Sequence, residues 1–258
     1  MSERPIYPTW IKASRIRLFW LLTGAVVLIA VVAAYFWLPA LALAALALPF
    51  AYIALVITVS SRRLSPAGDD LQAQIHRLIS GEVGAKGRLL DIGCGSGELV
   101  ITLAKASPDE CVGLDFWPAE WGDYSQELAE RNARLEGVPG IEFVRGTASQ
   151  LPFAEASFAR VVSSLTFHEV RDAPDKTTSV AEAIRVLAPG GRFAFVDLFD
   201  DASFYSRRAA VLGAIRAAGG EVASARPLSE LLALKWPMNT GKVLGYAVLI
   251  TGTKPLAP

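Results

Sequence analysis

The sequence predicts an α/β protein in which a doubly wound, mostly parallel sheet is preceded by two transmembrane helices. Three observations carry that reading: an uncharged apolar run of 44 residues from Leu18 to Ser61, a regular alternation of strand-like and helix-like segments beyond residue 69, and a bare turn, LLDIGCGSG, at residues 89–97. The chain of 258 residues is 52% hydrophobic with a mean hydropathy of +0.37, too apolar for an ordinary soluble protein. Its 25 basic and 25 acidic residues cancel, so no global charge draws it to nucleic acid. Cys94 and Cys111 are too few for a disulfide framework, and no Cys/His cluster has zinc spacing. A reducing compartment and no bound metal are expected.

At about 1.5 Å of rise per residue, a single helix over Leu18–Ser61 overshoots a ~30 Å hydrocarbon core twofold, so two spans are expected. Pro39 divides them at about 18–38 and 40–60, with Tyr35, Phe36 and Trp37 at the bend and Pro49 kinking the second. Arg4, Lys12, Arg15 and Arg17 precede the pair and Arg62 and Arg63 follow it, whereas the bend carries no Lys or Arg, so both ends are expected in the cytoplasm. A cleaved signal peptide shares the basic start but has an apolar core of only about 7 to 15 residues. A hairpin lying in the membrane interface or folded onto the soluble part is the other alternative. Residues 1–63 are thus read as a membrane hairpin and 64–258 as one globular domain of ordinary size.

In that domain Asp69 or Asp70 caps a helix with Leu71, Ile75, Leu78 and Ile79 on one face, ending near Gly81. Strands are expected at 88–92, 110–114, 141–144, 158–165, 192–198 and 243–251, and helices at 98–106, 124–136, 178–187 and 204–218. Such alternation gives a parallel, Rossmann-like sheet with helices on both faces.

In such a sheet the first strand-to-helix turn borders the ligand crevice, and glycines there expose main-chain atoms that a Cβ would block. The dinucleotide pattern G-x-G-x-x-G/A fails in either register, because Glu98 or Val100 stands at its last position. What stands instead is D-x-G-x-G-x-G, formed by Asp91, Gly93, Gly95 and Gly97.

That motif resembles motif I of class I S-adenosylmethionine (SAM) methyltransferases, and the resemblance extends over roughly residues 85–254. The strand ending VGLD places Asp115 where the family has its ribose-binding acid; VRGTASQLPF resembles its G-D-A-x-x-L-P-F segment, and VLAPGGRF its L-x-P-G-G turn. The resemblance implies SAM as cofactor, with Gly93, Gly95 and Gly97 admitting its methionine and ribose portion, Asp91 orienting the amino-acid end and Asp115 gripping the diol. Ala148 would meet the adenine edge, Phe116 or Leu151 its face, and Ser163, at the end of the fourth strand, joins the cofactor set. Thr147 departs from the pattern, since the family usually has an acid there that accepts from the adenine amine; Ala159 departs where an Asp usually follows the Phe.

The link FWPAEWGDY offers Trp117 and Trp121 for an acceptor pocket, a headgroup contact or simple packing. His168, in SSLTFHEVRD, resembles the H-x/H-E loop of quinone and small-molecule members and is the candidate catalytic base, against a purely loop-shaping role. HEVRD is not H-E-x-x-H, which excludes a zinc protease. His76 is read as a surface or packing residue. A membrane-anchored methyltransferase of a small, hydrophobic or lipid-like acceptor is the reading that uses both halves of the chain. A non-catalytic SAM-binding protein is the alternative; a nucleic-acid methyltransferase lacks its N/D-P-P-Y segment and basic stripe, so no nucleic-acid partner is expected.

Overall fold

The computed structural model describes residues 3–107, 109–119 and 123–256, and the chain divides into two compact units: Pro8–Gln72, and Met1–Tyr7 together with Ala73–Pro258. In the first, α1 (Ala13–Phe36) is followed by a 3-10 segment (Leu38–Ala47) and by α2 (Leu48–Leu64). Pro39 and Pro49 each stand in the first turn of their segment, where a missing N–H costs nothing. Pro39 thus sits at the bend, as expected; Pro49 opens α2 rather than kinking a continuous helix. Trp20 Nε1–H donates to Thr58 Oγ1 at 3.1 Å, joining α1 to α2. Leu21, Leu28, Ile29, Tyr35 and Phe36 point outward, unpacked. The stretches Ala13–Phe36 and Leu38–Leu64 are long and apolar enough to cross a membrane, by length and composition.

The second unit is built on a seven-stranded sheet. Its strands are β1 (Leu89–Ile92), β2 (Cys111–Asp115), β3 (Glu142–Arg145), β4 (Phe158–Ser164), β5 (Leu187–Asp197), β6 (Glu221–Pro227) and β7 (Val248–Thr253), in the order β3-β2-β1-β4-β5-β7-β6. β1 to β5 are parallel, and β7 runs antiparallel between β5 and β6. The helices are α3 (Leu71–Val83), α4 (Glu98–Lys105), α5 (Gln126–Leu135), α6 (Thr177–Arg185), α7 (Arg208–Ala217) and the short α8 (Leu228–Leu231). Leu90, Ile92, Val161, Phe193, Phe195 and Ile250 are solvent-free in one core with Ile184 of α6 and Ile215 of α7. The strand order reverses between β1 and β4, and the crevice beyond their carboxyl ends is the ligand position of such sheets.

Several elements differ from expectation: α8 was not expected, β7 begins at Val248 rather than at residue 243, and two more differ for a physical reason. β6 was not foreseen, because its residues alternate between half-buried and exposed and lack the apolar run of the central strands. β5 begins five residues early, the turn APGG lying inside it with a register irregularity opposite Phe158 and Arg160.

Residues up to Tyr7 group with the domain unit, whereas residues 8–12 go with α1, a division different from the sequence boundary at residue 63. Ile6 N–H donates to Asn132 Oδ1 at 2.9 Å, and Asn132 Nδ2 donates to the carbonyls of Ile6 at 2.8 Å and Ser96 at 3.0 Å. Tyr7 adds a bond to Glu136 and Glu3 an ion pair with Arg131.

At the opposite, amino ends of the strands, Arg160 is buried and donates to the Gly87 carbonyl through Nε and Nη2, to the Gly84 carbonyl at 3.1 Å and to Ser107 Oγ at 3.0 Å. Replacement by Met keeps the volume and leaves those acceptors unpaired. Arg160→Met should lower unfolding stability by about 2–4 kcal/mol, read as a urea midpoint shift, while ligand affinity at the far end of the sheet stays within about twofold.

Candidate cofactor and active site

The glycine turn is shaped by backbone geometry that side chains disfavour. Gly93, Gly95 and Gly97 have φ of +77°, +55° and +86°, and Gly97 caps α4. The N–H groups of Gly93 and Cys94 both donate to Leu114 C=O, at 2.7 and 3.1 Å, fastening the turn to β2. The space a side chain would need is already taken: Thr166 lies against Gly93, the Tyr124 ring against Gly95, and Ile101 and Phe143 against Gly97. Gly97 is therefore a packing glycine, while Gly93 brings the turn against the loop that carries His168.

Asp115 ends β2 and braces the turn. Its Oδ2 accepts from Gly95 N–H at 2.9 Å and its Oδ1 from Trp117 N–H at 2.8 Å. Trp117, at φ +41° and nearly buried, returns its indole N–H to Gly95 C=O at 2.8 Å. Of the roles weighed for Trp117, packing is the one seen, with a hydrogen bond that sequence could not reveal; Trp121 lies outside the described residues. Burial raises the Asp115 carboxyl against the effect of its N–H donors. Asp91, interior to β1, is more extreme: burial pushes it up to about 8, although Val100 N–H donates to it at 3.1 Å.

The other sequence candidates divide by exposure. Phe116 presents an exposed ring, with the Arg145 guanidinium carbon 5.8 Å from its centroid. Leu151 lies in the core, so of the two only Phe116 offers a free face. Ala148 is buried beside Thr147, just beyond β3. Ser163 is set apart: fully buried, it donates to Ile92 C=O at 2.9 Å, a brace between β4 and β1 rather than a group facing the crevice. Ala159 packs against Gly87 at the amino end of β4, so that departure from the family pattern does not touch the site. His76 is buried on α3 with Nδ1 3.6 Å from Glu98, and burial lowers it to about 4.

His168 lies in a 3-10 turn, Phe167–Glu169, directly after β4. Its Nδ1 is 2.7 Å from Oδ1 of Asp197, the fully buried last residue of β5, whose Oδ2 accepts the Phe167 N–H at 2.8 Å. The Phe204 ring packs at 5.0 Å between centroids, and Nε2 stands 3.6 Å from Glu169 Oε1. Burial opposes the imidazolium, but the charge and hydrogen bond of Asp197 prevail and hold His168 above its ordinary range. Sequence reading missed Asp197. Its signal was present in FAFVDL, an acid closing an apolar strand just as Asp91 and Asp115 do.

These residues fit SAM on their chemistry. A turn floored by carboxyl groups suits a ligand carrying sulfonium and ammonium charge, which favours their ionised form, and Asp115 keeps lone pairs for a diol. Asp91, Gly93, Gly95, Gly97 and Asp115 would hold that cofactor, and Phe116, Thr147 and Ala148 border it.

The high carboxyl of Asp91 fixes a pH dependence for the ligand-free protein. Unfolded, an Asp titrates near ~3.9; folded, Asp91 holds its proton up to about 8. Between those values the native state binds the extra proton, so stability falls as pH rises through the window. Asp91→Asn should flatten that fall, measured as urea midpoints at pH 5 and pH 8; equal slopes in parent and variant would show Asp91 already ionised.

Residues 90–195 match the family model of a methyltransferase domain. The chain is 38% identical over 112 residues to the phthiotriol/phenolphthiotriol dimycocerosates methyltransferase of Mycobacterium leprae, covering 43% of this chain and 37% of that one. It is 36% identical over 117 residues to the demethylmenaquinone methyltransferase of Deinococcus radiodurans, covering 45% of each. The chain thus spans less than half the length of these curated relatives. Among solved structures, a geranyl diphosphate methyltransferase in complex with SAM superposes with a TM-score of 0.56 at 18% identity, covering 72% of this chain and 86% of that one, a likeness of fold. Sheet order, glycine turn and family match agree on one reading of residues 90–195: they are similar to a methyltransferase domain.

Proposed function

We propose that the protein is a membrane-anchored methyltransferase that acts on a small, hydrophobic or lipid-like acceptor, with His168 as general base and Asp197 as its orienting partner. The observation that carries this reading is the junction of cofactor turn and histidine loop: Thr166 fills the space over Gly93, and His168 follows two residues later with Nδ1 on Asp197. SAM supplies an electrophilic methyl group when bound. The buried Asp197 accepts the Nδ1–H of the neutral imidazole, which leaves the Nε2 lone pair to take a proton from an acceptor hydroxyl or carbon acid. The crevice walls hold that acceptor in line and keep water away.

The membrane half supports the acceptor class. Two long apolar helices with outward side chains hold the domain where hydrophobic substrates reside, and two relatives are named for a dimycocerosate and a demethylmenaquinone substrate. With the Arg and Lys flanks, the expected topology is two spans and a cytoplasmic domain. A reporter fused after Pro258 should be active only on the cytoplasmic side; activity on the other side would overturn that topology.

The test of function is labelled SAM with the detergent-solubilised protein and a total lipid extract, followed by separation of labelled lipid and quinone fractions. Label should appear in an apolar product with the parent and not with Asp115→Ala. With that acceptor, His168→Ala should lower kcat by roughly 10²-fold with little change in SAM binding. The neutral base form prevails above the His168 pKa, so activity should rise with pH through it. Asp197→Asn removes the charge that raises this pKa, and its acid limb should move to lower pH. A limb that stays in place would exclude His168 as the titrating base.

A further inference from the structure

The adenine end is where the chain departs from its family, since Thr147 replaces an acid. The structure brings a carboxylate there from a different segment. Asp172 closes the stretch SSLTFHEVRD that also carries His168, and its Oδ1 lies 3.1 Å from Thr147 Oγ1 while its Oδ2 lies 2.7 Å from Ser149 Oγ. The two hydroxyls are 2.9 Å apart, and Ser149 N–H approaches Thr147 Oγ1 at 3.3 Å. Burial opposes ionisation of Asp172, but the hydrogen bonds from Ser149 and Thr147 outweigh it and hold the carboxyl below its ordinary range.

The donor and acceptor inventory then decides the polarity of the group. An ionised carboxylate has no proton to give, so Thr147 and Ser149 both donate to it. Thr147 Oγ1, its proton committed, is left with lone pairs only. A lone threonine hydroxyl serves either an amine or a carbonyl by rotating; this one is fixed as an acceptor, as a carboxylate is. An amino group on the purine edge is matched by it, and a carbonyl there meets lone pair against lone pair. We propose that Asp172 replaces the missing acid of the adenine subsite, acting through Thr147 as a positioning residue that makes the site select a 6-aminopurine over a 6-oxopurine cofactor. This rests on the reading of the domain as a SAM site and adds a determinant that its motifs do not contain.

The experiment is calorimetric titration of the full-length, detergent-solubilised protein with S-adenosylhomocysteine and with its 6-oxo counterpart, S-inosylhomocysteine. The parent should prefer the amino form by roughly tenfold or more. In Asp172→Asn the side-chain amide can donate to Thr147, releasing the hydroxyl proton toward the ligand, so the preference should shrink to within about threefold. Asp172→Ala should do the same, and Thr147→Asp in the Asp172→Ala background, which returns the acid to the family's position, should restore it. The near-isosteric Asn variant, checked for an unchanged melting temperature, keeps the comparison valid if the Ala variant fails to fold. Equal weakening of both ligands in the folded Asn variant, with the preference intact, would reduce Asp172 to a loop tether and overturn the assignment. A parent that bound neither ligand would overturn the cofactor site itself and this assignment with it.

Discussion

The peptide of Gly95 is gripped on both sides, its N–H by the Asp115 carboxylate and its C=O by the Trp117 indole, and the geometry of the site depends on that grip. Three residues of the turn have left-handed φ, a shape with little intrinsic stability, so its persistence requires outside partners. One carboxylate supplies the clamp on the turn, a second bond to the chain beyond β2, and free lone pairs toward the crevice. As a cofactor ligand, Asp115 would use the same atoms that order the turn, and the cofactor would meet a preformed surface and lose little affinity to ordering it.

Buried acids recur along the carboxyl edge of the sheet. Asp91 in β1, Asp115 at the end of β2 and Asp197 at the end of β5 are each fixed by backbone N–H donors. Asp197 also pairs with a titratable side chain, His168. Burial, which penalises the charged form, raises the first two and leaves their negative charge dependent on a nearby cation. A cationic ligand would supply it, which would couple charge and occupancy on this edge.

Much of this was legible in the sequence because it is written locally. Alternating periodicities mark β1, β2, β4 and their helices, and the motif D-x-G-x-G-x-G with Asp115 marks the turn. What escaped is non-local or marginal. β6 is an edge strand with weak patterning. Trp117 declares its role only through a bond to a residue 22 positions earlier, and Asp197 through one to a residue 29 earlier. Ser163 failed in the opposite direction: its place at the end of β4 suggested the crevice, but strand alternation turns its hydroxyl inward to Ile92.

The bonds between Ile6 and Asn132 span 126 positions, and the neighbouring Tyr7–Glu136 bond spans 129. During synthesis Ile6 has no binding partner until α5 has been made. Everything from α1 to α4 must therefore emerge before the residues ahead of α1 find their place. A segment made before α1 is thus positioned only after α5, and because Asn132 also holds Ser96, its arrival completes the hydrogen bonding behind the glycine turn.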